Sequence, residues 1–355
     1  MIKLQLHLSE DDVNSKKLVG NLLNAHWDFL NKRYARKPYS LQKYSLIRKC
    51  EDAIENLKKP GHRKDNGLSD DGAHSLSTFL VEILKTDQEL LKKIILSDPE
   101  NLLKLTKEIK IILQDDLLFS KTKNGYAQTS VGIYLSEIIF DYKNFRNSNQ
   151  CATMFREGMN SNLFSCPYCN LNKITITDMS KSKEEDPTAY LDLDHFFPKS
   201  RYPYFAVSFY NLVPSCHDCN SREKGAKEFD LHTHIHPYVE SFDDHYIFSI
   251  NTDDFFEGEI TIEGRLRDKN VRNDKSMSDL NLIDRYQADV TQIKAVLSYY
   301  KSRFSKMKLD PAEYIDFFTS HFSFRRSEIL RSPQSKLLRD VVAQIDEENL
   351  LQIMK

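Results

Sequence analysis

A chain of 355 residues is long enough for two or three domains, and 40% hydrophobic with 29% charged residues excludes a disordered chain. No apolar run reaches the roughly 18 residues of a membrane span, and the start, MIKLQLHLSEDD, turns acidic at once, unlike a secretory signal, so the expectation is a cytoplasmic protein. The net charge of −2 gives no global attraction for a polyanion, which leaves any nucleic acid to local patches or a partner.

The first 150 residues carry helical periodicity. In SDPENLLKLTKEIKIILQ, Asp98 stands as an N-cap, Pro99 takes the first helical position, and Leu102, Leu105, Ile109 and Ile112 recur at helical spacing. Residues 32–64 hold eleven Lys/Arg against three acids, interleaved with Tyr34, Tyr39 and Tyr44. That pattern fits a nucleic-acid surface with stacking aromatics and the solvated face of a helix equally well. GHRKDNGLSDDGAHS (61–75) reads as loop, while FLVEIL (79–84) and VGIYLSEIIFDY (131–142) suggest further helices.

From 151 to 240 the character changes, and turn residues, cysteines and histidines replace the long stripes. KITITD (173–178) alternates as a strand, SKSKEEDPTA (180–189) reads as a charged loop, and a short helix is expected from near Asp218. Beyond 240, HYIFSI and EGEITIEG predict two strands. Ile283, Tyr286, Val290, Ile293, Leu297 and Tyr300 predict one long amphipathic helix, LDPAEYIDFF another capped by Asp310, and 334–353 a last one. The expected class is α+β: a helical region over 1–150, a metal-stapled module over 151–240, and a β-hairpin with helices over 241–355.

Of six cysteines, Cys50 and Cys151 stand alone and read as small buried hydrophobes. CPYC (Cys166, Cys169) and CHDC (Cys216, Cys219) each put two thiols on a tight turn, the pattern a tetrahedral Zn²⁺ needs; four unligated thiols are the alternative. A zinc held by four thiolates keeps no open position, so it is structural and any chemistry lies elsewhere. His217, inside the second pair, then reads as a solvent-facing imidazole.

Between and after these pairs stand LDLDHFFPKSR (191–201), NLVP (211–214) and CNSREKG (219–225). Over roughly 60–75 residues this stretch resembles the HNH endonuclease superfamily, the ββα-metal or His-Me-finger nucleases, and within it the zinc-stapled HNH effectors of anti-phage systems such as Septu. The resemblance implies His195 as general base, Asn211 as the residue pinning the loop that orients it, and Asp194 and Asn220 as ligands of a catalytic Mg²⁺ or Mn²⁺. Asn220 stands where many members have histidine, and Asp192 is left as a supporting group or weak ligand. It further implies Lys224, with Arg222, as phosphate contacts, DNA as the substrate and an ATPase as partner; no Walker-type glycine loop exists here to supply ATP binding. A base near neutral pKa and oxygen donors for a hard cation are what phosphodiester hydrolysis requires. Lys199 and Arg201 flank the motif and are also candidates for phosphate. HTHIHP places His232, His234 and His236 at alternate positions, with no carboxylate partner pattern, and reads as structural. The alternatives are an HNH-type RNase, acting for example on tRNA, and a non-catalytic zinc module that binds nucleic acid or a partner protein.

Overall fold

The computed structural model describes residues 4, 12–123, 125–159, 161, 163–177, 188–251, 259–267, 273–304 and 326–345. The N-terminal stripes form the helices α1 (Asp12–Leu30), α2 (Leu46–Leu57), α3 (Pro60–Asp65), α4 (Asp70–Leu96) and α5 (Pro99–Ile112). α5 starts as its sequence dictates: Pro99 opens it and the Asp98 carboxylate accepts from the Asn101 N–H at 2.9 Å. Cys50, Ala53 and Leu57 of α2 and Leu76, Phe79, Leu80 and Ile83 of α4 are buried against the common core. Removing these side chains from water is the main force holding the helices together.

Two sequence expectations change, and one helix is broken within its length. Residues 61–75 are mostly helical, because Pro60 presets the start of α3 and the Ser69 hydroxyl caps α4 at the Gly72 N–H. α4 is interrupted where Thr86, Asp87 and Gln88 take left-handed φ values. The single long helix expected from Ile283 to Tyr300 is two, Leu282–Gln287 and Thr291–Phe304; apolar spacing continues across the break although the backbone does not. Residues 180–187, the Asp310 cap and 346–353 lie outside the described residues.

Among the described residues the strands are short and all pair antiparallel. They are β1 (Arg33–Tyr34) with β2 (Lys37–Leu41), β3 (Phe119–Thr122) with β4 (Gly125–Gln128), and β5 (Leu163–Ser165), β6 (Lys173–Thr177) and β7 (Thr188–Tyr190) as one sheet. β8 (Asp192–His195) pairs with β9 (Leu212–Ser215), and β10 (Tyr246–Ile250) with β11 (Ile262–Leu266). The Ser335–Ile345 helix packs on β10, where Phe248 N donates to Asp340 Oδ2, and on the helical turn before it, where Lys336 Nζ lies 2.9 Å and an Arg339 guanidinium nitrogen 2.6 Å from the two Asp243 oxygens. Those two cations hold the Asp243 carboxyl far below the usual carboxylate range despite its burial. No described helix is long and apolar enough to cross a membrane.

Candidate functional site

The four cysteines of the two CxxC pairs meet. All are buried, and their Sγ atoms lie within 4.8 Å of one another. Main-chain N–H groups donate to three of them: Cys216 N to Cys166 Sγ at 3.3 Å, Leu171 N to Cys169 Sγ at 3.3 Å, and Cys219 N to Cys216 Sγ at 3.5 Å. The Arg285 guanidinium donates to Cys219 Sγ at 3.3 Å. Donors and a cation aimed at sulfur stabilise thiolate and are wasted on neutral thiols, so the donor set fits a structural zinc. Burial opposes ionisation of Cys169, yet the neighbouring thiols and Arg285 outweigh it and hold its thiol well below the ordinary value. The cysteine turn is tied to the C-terminal region, where Tyr286 Oη donates to Cys169 O and Asn170 Nδ2 to Ile329 O.

From this cluster β8, β9 and the helical run Asp218–Lys224 form a hairpin with a helix laid across one face. Strand alternation turns Asp192 and Asp194 toward that helix and His195 to the opposite side. The two acids meet different ends of the helix. Asp192 Oδ2 accepts from Asn220 Nδ2 at 3.2 Å and lies 3.1 Å from His217 Nδ1, at the partly open start. Asp194 is buried one turn further on, where Lys224 Nζ donates to both carboxylate oxygens at 2.7 Å and Tyr168 Oη to Oδ2 at 2.6 Å. Lys224 also donates to the His195 and Phe196 carbonyls. Burial lowers the Lys224 pKa from its usual value, with Asp194 pulling it back up. Tyr168, the middle of CPYC, is a site residue that no sequence signal singled out.

On the other face, His195 Nε2 lies 2.9 Å from the Ala206 carbonyl oxygen. A carbonyl only accepts, so Nε2 carries the proton and Nδ1 keeps a lone pair. Burial lowers the His195 pKa to about 4, against the opposing pull of Ala206, and the ring is neutral at pH 7. The Tyr142 ring packs edge-on at 4.5 Å, and its hydroxyl donates to Leu193 O. Asn211, fully buried, brackets the intervening loop: Oδ1 accepts from Phe197 N at 2.7 Å and Nδ2 donates to the carbonyls of Phe197 and Phe205. Phe205 precedes the Ala206 that orients His195, and the next residue, Val207, offers its carbonyl to buried His26 of α1 at 2.8 Å. The loop is fixed from both sides.

The fold therefore groups Asn211 with His195, and Asn220 with Asp192; no hydrogen bond joins Asp194 to Asn220 or His195. Of the cations named from sequence, Arg222 is exposed and only 3.5 Å from Asp218, whereas Lys224 is sealed inside. Lys199 pairs with Glu137 over the Tyr142 ring, and Arg201 with Glu228 among Phe119, Tyr126 and Tyr202. His234 stacks on Phe229 and lies 3.0 Å from Asp279, buried His236 packs on Phe196, and His232 is exposed. They do not converge on one ligand position.

No protein-family profile matches the chain, nor does any solved structure. Two proteins are similar to parts of it. Protein ea31 of Escherichia phage lambda is 36% identical over 100 residues, covering 27% of this chain and 29% of that protein. Septu protein PtuB of Bacillus thuringiensis is 31% identical over 80 residues, covering 21% of this chain and 31% of that protein. The chain thus spans under a third of the length of either relative. With the four-cysteine cluster, the similarity to PtuB fits a Septu-like zinc module.

Proposed function

We propose that this chain is a metal-dependent endonuclease of HNH type that hydrolyses phosphodiester bonds of DNA, acting as the nuclease subunit of an anti-phage complex beside an ATPase. The observation that carries the reading is the geometry at His195: its proton is fixed on Nε2 by Ala206 and its Nδ1 has no partner among the described residues, on a β-hairpin braced by Asn211. In that role Nδ1 takes the proton of the attacking water, and Asn211 keeps the loop from moving the base out of line. A Mg²⁺ or Mn²⁺ ion would supply charge for the phosphate oxygens. As placed, Asp194 is a poor ligand, because Lys224 and Tyr168 already occupy its oxygens. The donors that meet in the open are Asp192, Asn220 and His217. In this reading they hold the cation, and Asp194 joins them only when the Lys224 ammonium leaves it. Arg222, exposed on the same helix, is the cation offered to the phosphate in this reading.

The test is cleavage of plasmid DNA, and of tRNA in parallel, by the zinc-loaded chain with its partner in Mg²⁺ or Mn²⁺. His195→Ala abolishes cutting; equal cutting by both proteins removes His195 as base. Asp192→Asn weakens metal activation more than Asp194→Asn when the open donors hold the cation. The ion pair that Asp194 makes with Lys224 favours one other reading, a zinc module that binds nucleic acid or a partner without cutting, which predicts no cleavage under either metal with the partner present.

A further inference from the structure

Between Phe29 and Cys50 the chain has seven Lys/Arg and no Asp or Glu, in a protein whose net charge is −2. The structure folds this stretch into the β1–β2 hairpin, which is exposed on both faces and therefore is not kept for core packing. Arg48 and Lys49 are spent on Glu51, Asp52 and Asp141. Lys32, Arg33, Arg36, Lys37 and Lys43 have no carboxylate partner among the described residues. Tyr34, Tyr39 and Tyr44 stand among them with 47%, 94% and 76% of their surface exposed. At the foot of the hairpin lies a cavity of about 400 Å³, floored by Phe29, Phe140 and Phe145 and rimmed by Lys32 and Tyr44. Asp141 and Asn144 line it too, and between them Tyr142 turns its ring to His195 at 4.5 Å. One short segment thus has the cavity on one side and the candidate base on the other.

We propose that the hairpin and this cavity form a platform for single-stranded nucleic acid, leading toward His195. The tyrosines stack bases, the cations without a carboxylate partner hold phosphates, and the apolar cavity takes an unstacked base. Single strands are favoured over duplex because exposed aromatic rings are useful only to bases whose own faces are free, and Tyr39 is almost wholly exposed. An acidic protein surface would satisfy the cations and leave the rings in water. The cavity lies within the roughly 300–1,000 Å³ range of small-ligand sites. This inference takes its direction from the nuclease reading, but binding requires no cleavage, so the two fail separately.

The experiment uses the full-length, zinc-loaded His195→Ala protein, with fluorescein-labelled oligo-dT, oligo-rU and a DNA duplex read by anisotropy over a salt series. The expected result is tighter binding of a single strand than of duplex, with the dT and rU arms telling DNA from RNA. Tyr39→Ala and Tyr44→Ala each weaken it by about fivefold or more, the lower end of what one stacked base contributes. Arg36→Glu with Lys37→Glu, a second variant at the hairpin tip, flattens the salt dependence, each lost phosphate contact lowering the log–log slope by about 0.7. Binding unchanged in both sets, preference for the duplex, or binding of neither strand overturns the proposal. Binding that responds as expected, in a wild-type protein that cuts nothing with its partner and either metal present, leaves the platform standing and removes the nuclease reading.

Discussion

Lys224 and Asp194 offer a direct measure of whether the helix after CHDC is held on from inside. Each is at most 4% exposed, and one ammonium reaches both carboxylate oxygens at 2.7 Å. Lys224→Met keeps the stem's bulk and removes the charge, leaving a buried carboxylate with Tyr168 Oη as its remaining side-chain donor. Removing one partner of a buried pair costs about 3–5 kcal/mol, mostly the charge left behind. Adding Asp194→Leu removes that charge, and the double variant should recover most of the loss, because replacing a buried pair by apolar groups is close to neutral. The assay is urea unfolding of the zinc-loaded protein followed by a probe in the module, for wild type, both single variants and the double. A strong favourable coupling is expected between the two positions. If Lys224→Met stays within about 1 kcal/mol of wild type and the effects simply add, the ammonium is solvated and the phosphate-contact role expected from sequence returns.

Cys219→Ser, or a strong chelator, should abolish stoichiometric zinc and release the module from the C-terminal region, read as protease sensitivity between β6 and β9; a protein purified without stoichiometric zinc would show that the cluster carries no metal, and an apo protein as resistant as the holo form that the metal does not hold the module. Asn211→Ala should destabilise the protein by about 2–4 kcal/mol, since it orphans the buried Phe197 N–H and carbonyl, and should shift the His195 ring signals in NMR. Buried His26 has its pKa lowered to about 4 by desolvation, so unfolding takes up a proton below the unfolded value near 6.5. Its contribution is whole above pH 6.5 and is lost as pH falls toward 4, about 3 kcal/mol in all, and a His26→Gln variant should show a flatter stability–pH curve across that window.

The site was legible where chemistry depends on residue type and short spacing. Four cysteines in two CxxC pairs had to come together if they were to share an ion, and they do. The resemblance implied Asn211 as a loop pin, and its side chain does span that loop. The partners of the two aspartates were not legible. Alternation put them on one face, but which end of a seven-residue helix each would meet depends on how that helix crosses the hairpin. Tyr168 and Tyr142 were missed because an aromatic between cysteines or at a helix start looks like core. The loop expectation for 61–75 failed because Pro, Ser and Asp start helices as well as break them.

By itself the sequence determined most of the helices and strands and the grouping of the four cysteines. Apolar spacing and caps are local, and four thiols at CxxC spacing admit few uses. Only the tertiary structure decided the charge state of the site. It sealed Lys224 onto Asp194, left Asp192 and Asn220 at an opening, and set the His195 proton through a carbonyl eleven residues away. Desolvation and hydrogen-bond direction fix those properties, and both depend on what the rest of the chain packs around each group.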